Sequence, residues 1–182
     1  MDREASHNHH HKFSAQLYAV CSAATSGGLT LATATSPRRV VRPGRPVRYK
    51  VSLRPATKQP KAKATSQAAG GPTLNLRVAL PAGVRYMQST TSPPLLAYSA
   101  GGRKAKRQPV LANDSAVLTW EDIGVTRKGR DFVVKVRVDS AIASGTPLTF
   151  SAQLFESVQV GAGTSAVPAC PRSAPNATVT VV

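Results

Sequence analysis

From Leu29 onward, apolar residues recur at every second position, and that rhythm admits few folds. Val47, Tyr49, Val51 and Leu53 alternate with Arg48, Lys50, Ser52 and Arg54. Leu74, Leu76, Val78 and Leu80 alternate with Asn75, Arg77 and Ala79. The same rhythm runs through Phe132–Val138, Leu148–Leu154 and Ala177–Val181, and Leu118 and Trp120 bracket Thr119. Successive side chains of a strand point to opposite faces, so strict alternation marks strands with one dry face and one wet face. No window sustains the period of about 3.6 residues that an amphipathic helix needs.

The punctuation agrees with strands. Pro43-Gly44 precedes the Val47 strand, and Pro81-Ala82-Gly83 follows the Leu74 strand. Asn113-Asp114 separates Val110-Leu111 from Val117-Leu118, Lys128-Gly129 precedes Phe132, and Ser144-Gly145 precedes Leu148. Gly and Asn tolerate positive φ and Pro presets a negative one, so each pair can close a turn. About seven or eight short strands without helices predict an all-β fold, an Ig-like antiparallel β-sandwich. Hydrophobic residues make up 41% of the chain but aromatics only 5%, so its core must rest on Val, Leu and Ala. Three stretches break the pattern and read as long loops: Lys58–Pro72, Ser99–Pro109 and Gly161–Pro175. Loops of that length in a compact domain are functional or disordered.

Charge is distributed unevenly. The chain has 24 Lys and Arg against 8 Asp and Glu, a net charge of +16. No acid lies between Glu4 and Asp114, a span that holds 17 bases. From Asp114 onward six acids meet six bases. Two readings stand side by side: a solubilising surface, or a field that attracts polyanions. The candidate anion- or partner-binding residues are Arg38, Arg39, Arg42 and Arg45, then Lys58, Lys61 and Lys63 in the first loop. Arg103, Lys104, Lys106 and Arg107 in the second loop complete the set. Nucleic acid is the weaker ligand class. The basic stretches lack interleaved aromatics for base stacking, with Tyr98 the nearest, and no recognition helix is expected.

Residues 1–28 read as a His-rich leader or tail, and residues 29–182 as the domain. Phe13 to Ser26 has a short apolar stretch and small residues near Ala24, as a signal peptide would. Asp2 and Glu4 in its charged region, with Ser14 and Gln16 inside the apolar stretch, argue for an ordered or partly ordered leader instead. No apolar run approaches the roughly 20 residues of a membrane-spanning helix.

Catalytic and metal chemistry is sparse. All four histidines fall within residues 7–11, so the β-domain has no imidazole for a Ser-His-Asp or Cys-His site. Glu121-Asp122 sits at a strand end, where adjacent side chains diverge, and makes a poor acid–base pair. There is no Cys-x-x-Cys or His-x-x-x-His pattern and no phosphate-cradling glycine loop. The expectation is a non-enzyme without cofactor or metal site. The His tract is either a weak transition-metal ligand or a solvated tail.

Five pieces in order resemble a family. They are Pro43-Gly44-Arg45-Pro46-Val47-Arg48-Tyr49, Leu80-Pro81-Ala82-Gly83-Val84, Val117-Leu118-Thr119-Trp120, the valine strand Phe132–Val138, and Gly145-Thr146-Pro147-Leu148 with a closing Val179-Thr180-Val181. Over roughly residues 29–182 this resembles the Ig-like surface-repeat module called domain of unknown function 11, found in extracellular and cell-envelope proteins. The chain departs from that pattern after Tyr49. Leu53-Arg54-Pro55 and a long basic loop replace the family's usual Asn-x-Gly and short loop, and the family is usually acidic or neutral. The resemblance brings no catalytic residues. It implies a structural or adhesive extracellular or cell-surface module that assembles with neighbouring chains or wall glycoproteins. The competing reading is a polyanion-binding domain, for acidic or sulfated polysaccharide, acting through the basic loops.

In such sandwiches the first and last strands often run side by side and parallel. That would bring Cys21 and Cys170 to one end of the domain, where a disulfide is expected. Asn113-Asp114-Ser115 and Asn176-Ala177-Thr178 are glycosylation sequons. Turn chemistry accounts for Asn113 equally well, and Asn176 stands at the start of a strand.

Overall fold

The computed structural model describes residues 28–55, 73–159 and 166–182. Every regular element of any length among them is a strand. Four form one sheet: β1 (Leu29–Ser36), β3 (Pro46–Pro55), β10 (Arg130–Val138) and β5 (Val84–Ser92), in the order β1-β3-β10-β5. The second sheet runs β2 (Val40–Val41), β13 (Ala177–Val181), β11 (Pro147–Gln159), β4 (Thr73–Ala79), β9 (Val117–Trp120) and β8 (Val110–Ala112). β12 (Ala166–Ser173) adds to it beside β11, and β6 (Leu96–Tyr98) pairs β7 (Lys104–Lys106) as a separate ribbon. All pairs are antiparallel except β2 with β13, where Thr180 and Val181 lie against Val40 and Val41 in parallel. The fold is the all-β, Ig-like sandwich that the alternation predicts.

The alternating side chains become the core. Val47, Tyr49, Val51 and Leu53 of β3 and Phe132, Val134 and Val136 of β10 are fully buried, and Leu76, Val78, Leu148, Phe150 and Leu154 meet them from the other sheet. Tyr49 stacks on Phe150 with ring centroids 5.1 Å apart, and Trp120 meets Phe132 edge-on at 5.0 Å. These aromatic pairs bridge the two layers, and such pairs add about 1 kcal/mol beyond their buried area. Leu80-Pro81-Ala82-Gly83-Val84 is the corner where the chain leaves the second sheet for the first. Gly83 has φ 90 there, and a Cβ on it would collide with Ile142.

Several boundaries differ from expectation. Thirteen strands are present among the described residues rather than seven or eight, because β2, β6, β7 and β8 have only two or three residues each and β5 and β12 do not follow the alternation. β5 escapes alternation because its inward positions Tyr86, Ser89 and Thr91 are only half-buried. The Ser99–Pro109 stretch is not all loop, since Lys104–Lys106 pairs back on Leu96–Tyr98. The expected Gly161–Pro175 loop contains β12, whose Pro168 and Pro171 are tolerable because it pairs only with β11. The Lys58–Pro72 loop, the leader and all four histidines lie outside the described residues.

Candidate functional site

The outward face of the four-stranded sheet is basic. In β3 the outward positions are Arg48, Lys50, Ser52 and Arg54, and in β10 they are Asp131, Val133, Lys135 and Arg137. The register sets Arg48 opposite Lys135 and Pro46 opposite Arg137, while β5 brings Arg85 directly opposite Arg137. Lys50 faces Ala34 of β1 and Val133 of β10. Six cations therefore share this face with one acid, Asp131, whose carboxylate is 2.8 Å from Arg54. Burial pushes the Asp131 carboxyl up, but the Ser52 hydroxyl, Arg54 and Lys50 outweigh it and hold it below its ordinary value. Like charges directly opposite on neighbouring strands repel, each pair costing a few tenths of a kcal/mol, roughly up to 1.

Arg38, Arg39, Arg42 and Arg45 border the same end of this face and are exposed. Arg38 and Arg39 follow Ser36, which pairs with Arg48. Arg42 and Arg45 form the turn into β3, where Arg45 accepts a backbone bond from Val138 and Arg137 donates to the Gly44 carbonyl at 2.8 Å. Arg48, Lys50, Arg85, Lys135 and Arg137 were absent from the sequence-based set. Their signal was a base at each polar position of two strands, and only the register makes those strands neighbours.

The second basic loop lies elsewhere. Arg103, Lys104 and Lys106 are exposed on the β6–β7 ribbon. Arg107 has another employment: its guanidinium donates to the carbonyls of Glu121 and Asp122, each at 2.9 Å. Asn75 holds the same bend by accepting the Asp122 N–H at 3.1 Å. Nearby, the buried Arg130 donates to the Gly124 carbonyl at 2.8 Å and to Pro93. Burial lowers its pKa from the ordinary arginine value, and the charge of Arg107 lowers it further. Both guanidinia thus act as clamps on irregular backbone. Lys58, Lys61 and Lys63 lie outside the described residues.

Cys170 sits in the bulge where β12 slips past Phe155, with φ 56. No free cysteine is found among the described residues, and Cys21 lies outside them. Asn113 is exposed in the β8–β9 turn, where Asn113, Asp114 and Ser115 have φ of 52, 53 and 65. Asn176 is exposed one residue before β13.

Shallow depressions mark the surface of the described residues. One of about 320 Å³ beside the Gly83 corner is lined by Arg85, Asp114, Ser115 and Asp139 among others. One of about 240 Å³ beneath β8 is lined by Arg107, Trp120 and Glu121 among others. Neither lining includes a His or Cys that could make a nucleophile–base pair. Among the described residues no three His, Cys, Asp or Glu converge to hold a metal, and no helix is long and apolar enough to cross a membrane.

No family model matches the chain, and no curated protein matches it in sequence. Solved structures do match in shape. BcpA, the major pilin subunit of Bacillus cereus, superposes with a TM-score of 0.53 at 11% identity, over 85% of this chain and 40% of that one. The GBS80 major pilin of Streptococcus agalactiae, a 35 kDa C-terminal fragment, gives 0.52 at 8%, over 84% of this chain and 56% of that one. The N-terminal domain of the Streptococcus gordonii adhesin Sgo0707 gives 0.50 at 10%, over 84% and 32%. The chain is thus similar in fold to domains of pilins and an adhesin. It spans less than two thirds of each of them.

Proposed function

We infer that the chain is a non-catalytic extracellular or cell-surface module that assembles with neighbouring protein chains. The observation that carries this reading is β5. It is a nine-residue strand at the edge of its sheet, and from Tyr86 to Ser92 it bears no charge. A long uncharged edge offers a row of unpaired N–H and C=O groups, which folded proteins ordinarily block unless another strand is meant to add there. The other edge, β1, is approached by the chain's last strands: Thr33 donates to the Pro175 carbonyl at 2.7 Å, and Arg172 donates to the Leu29 carbonyl at 2.7 Å. The shared fold with pilin and adhesin domains supports the same reading, as does the resemblance to the domain of unknown function 11 modules.

A Cys21–Cys170 disulfide belongs to this proposal. Its support is that Cys170 is not a free thiol and that the chain holds only two cysteines. A bridge closing so long a loop is worth about 5 kcal/mol on the chain-entropy model. Intact-mass analysis after alkylation should show no label without reductant and two labels with it. Glycans at Asn113 and Asn176 would fit the same compartment.

Light scattering over a concentration series at physiological salt tests assembly. Species larger than a monomer are expected, and Thr90→Lys in β5 should abolish them while the circular-dichroism spectrum stays that of β-structure. A strict monomer at every concentration overturns the reading.

A further inference from the structure

The geometry points to the outward face of the β1-β3-β10-β5 sheet as a docking surface for an acidic polysaccharide. This names a partner for the surface module inferred above and rests on its extracellular placement.

Two observations carry it. First, the face concentrates charge without neutralising it. Arg48 against Lys135 and Arg85 against Arg137 are like-charged pairs in direct register, and the one acid, Asp131, is paired with Arg54. Arg38, Arg39, Arg42 and Arg45 extend the same field around its end. A linear polyanion laid across these pairs would replace repulsion with attraction and release its own counterions. Second, the surface between the cations suits sugars. Ser36, Ser52, Gln88, Thr90 and Ser92 supply hydroxyl and amide groups, while Ala32 and Ala34 keep the β1 side low. Strand geometry spaces the charges at about 7 Å along a strand and about 5 Å across strands, a lattice on the scale of successive saccharide units.

Other polyanions fit less well. The outward positions of its four strands include no aromatic ring on which a base could stack, and among the described residues no helix is present to enter a groove. An acidic peptide could meet the charge but would leave the hydroxyl rows unused.

The test compares two triple variants of the full chain with equal loss of charge. One is Arg48→Ser, Arg85→Ser and Lys135→Ser on the face. The other is Arg103→Ser, Lys104→Ser and Lys106→Ser on the β6–β7 ribbon. Binding to heparin and to polyuronate is measured by titration at fixed ionic strength. The face variant should lose at least tenfold in affinity for one or both glycans, and the ribbon variant less than threefold. The heparin and polyuronate arms tell sulfate from carboxylate recognition. Equal losses in both variants would mean that only net charge matters and would overturn the proposal. So would a single-stranded oligonucleotide or polyglutamate of matched charge binding as tightly as either glycan. Thermal melting of the face variant guards against a folding artefact: its midpoint at low salt should equal or exceed the parent's. A protein that proves monomeric yet passes this test would lose the assembly reading and keep this one.

Discussion

The two outer faces of the sandwich are built by the same alternation and end in opposite chemistry. On the four-stranded sheet the outward positions carry Arg48, Lys50, Arg54, Arg85, Lys135 and Arg137. On the larger sheet they carry Thr149, Ser151, Gln153, Thr119, Thr178 and Ala79, with the exposed Val40 and Val110 at its margins and Arg77 as a charge among them. Even Arg77 is not left open, since its guanidinium lies 4.8 Å above the ring of Phe155. Thr149 and Thr178 hydrogen-bond to each other at 3.0 Å across strands. Burial sets the inward residues of both sheets alike, so the outward residues are where the faces were free to diverge. One face is close to neutral, and one pair of its hydroxyls bonds across strands. The other holds like charges side by side, which stability alone does not favour.

The strongest way to break this comparison is to separate the layers. Phe150→Ala removes the ring that stacks on Tyr49 and should cost about 3–5 kcal/mol, read by urea denaturation with both faces lost together. Gly129→Ala acts at the start of β10 only. Gly129 has φ 83 and its added Cβ would collide with the Leu53 carbonyl, so a loss of about 3 kcal/mol is expected. Polysaccharide binding by the folded fraction should weaken with it if β3 and β10 lose register.

Tyr49→Phe probes beneath the basic face. The Tyr49 hydroxyl is buried without a hydrogen-bond partner, so its removal should stabilise the fold by about 1 kcal/mol. Burial pushes its pKa well above the ordinary tyrosine value. The unfolded chain ionises Tyr49 near pH 10 while the folded chain does not, so Tyr49 contributes a loss of stability as pH rises above about 10. The Phe variant should show a shallower alkaline decline in denaturation midpoint. The smallest effect sharpens the contrast itself. Lys135→Gln should raise stability by about 0.5 kcal/mol at low salt, the gain shrinking as salt is added. Thr119→Gln on the neutral face should show no such salt dependence.

Much of this was readable beforehand, for reasons that can be traced. β3, β4, β10 and β11 bury one side fully, and complete burial forces alternation. β5 and β12 stand at margins where one flank is unpaired, so Ser, Thr and Pro are admissible and the rhythm fades. Of the basic surface, the arginines from 38 to 45 were visible as a cluster in the chain. Arg48, Lys135 and Arg85 come from three separate strands, and their adjacency exists only in the pairing register. Arg107 looked like one more loop charge because nothing in its neighbours announces the carbonyls of Glu121 and Asp122.

The short parallel pairing of β2 with β13 has a mechanical meaning. A pull drawing β2 back from its start and β13 forward from its end would slide the two strands past each other. Their cross-links, including Val182 N–H to Val41 and Thr180 N–H to Arg39, at 2.9 and 2.8 Å, would then bear load simultaneously instead of peeling one by one. Separating β2 from β13 along the strand direction therefore takes more force than the same bonds would bear if peeled from one end.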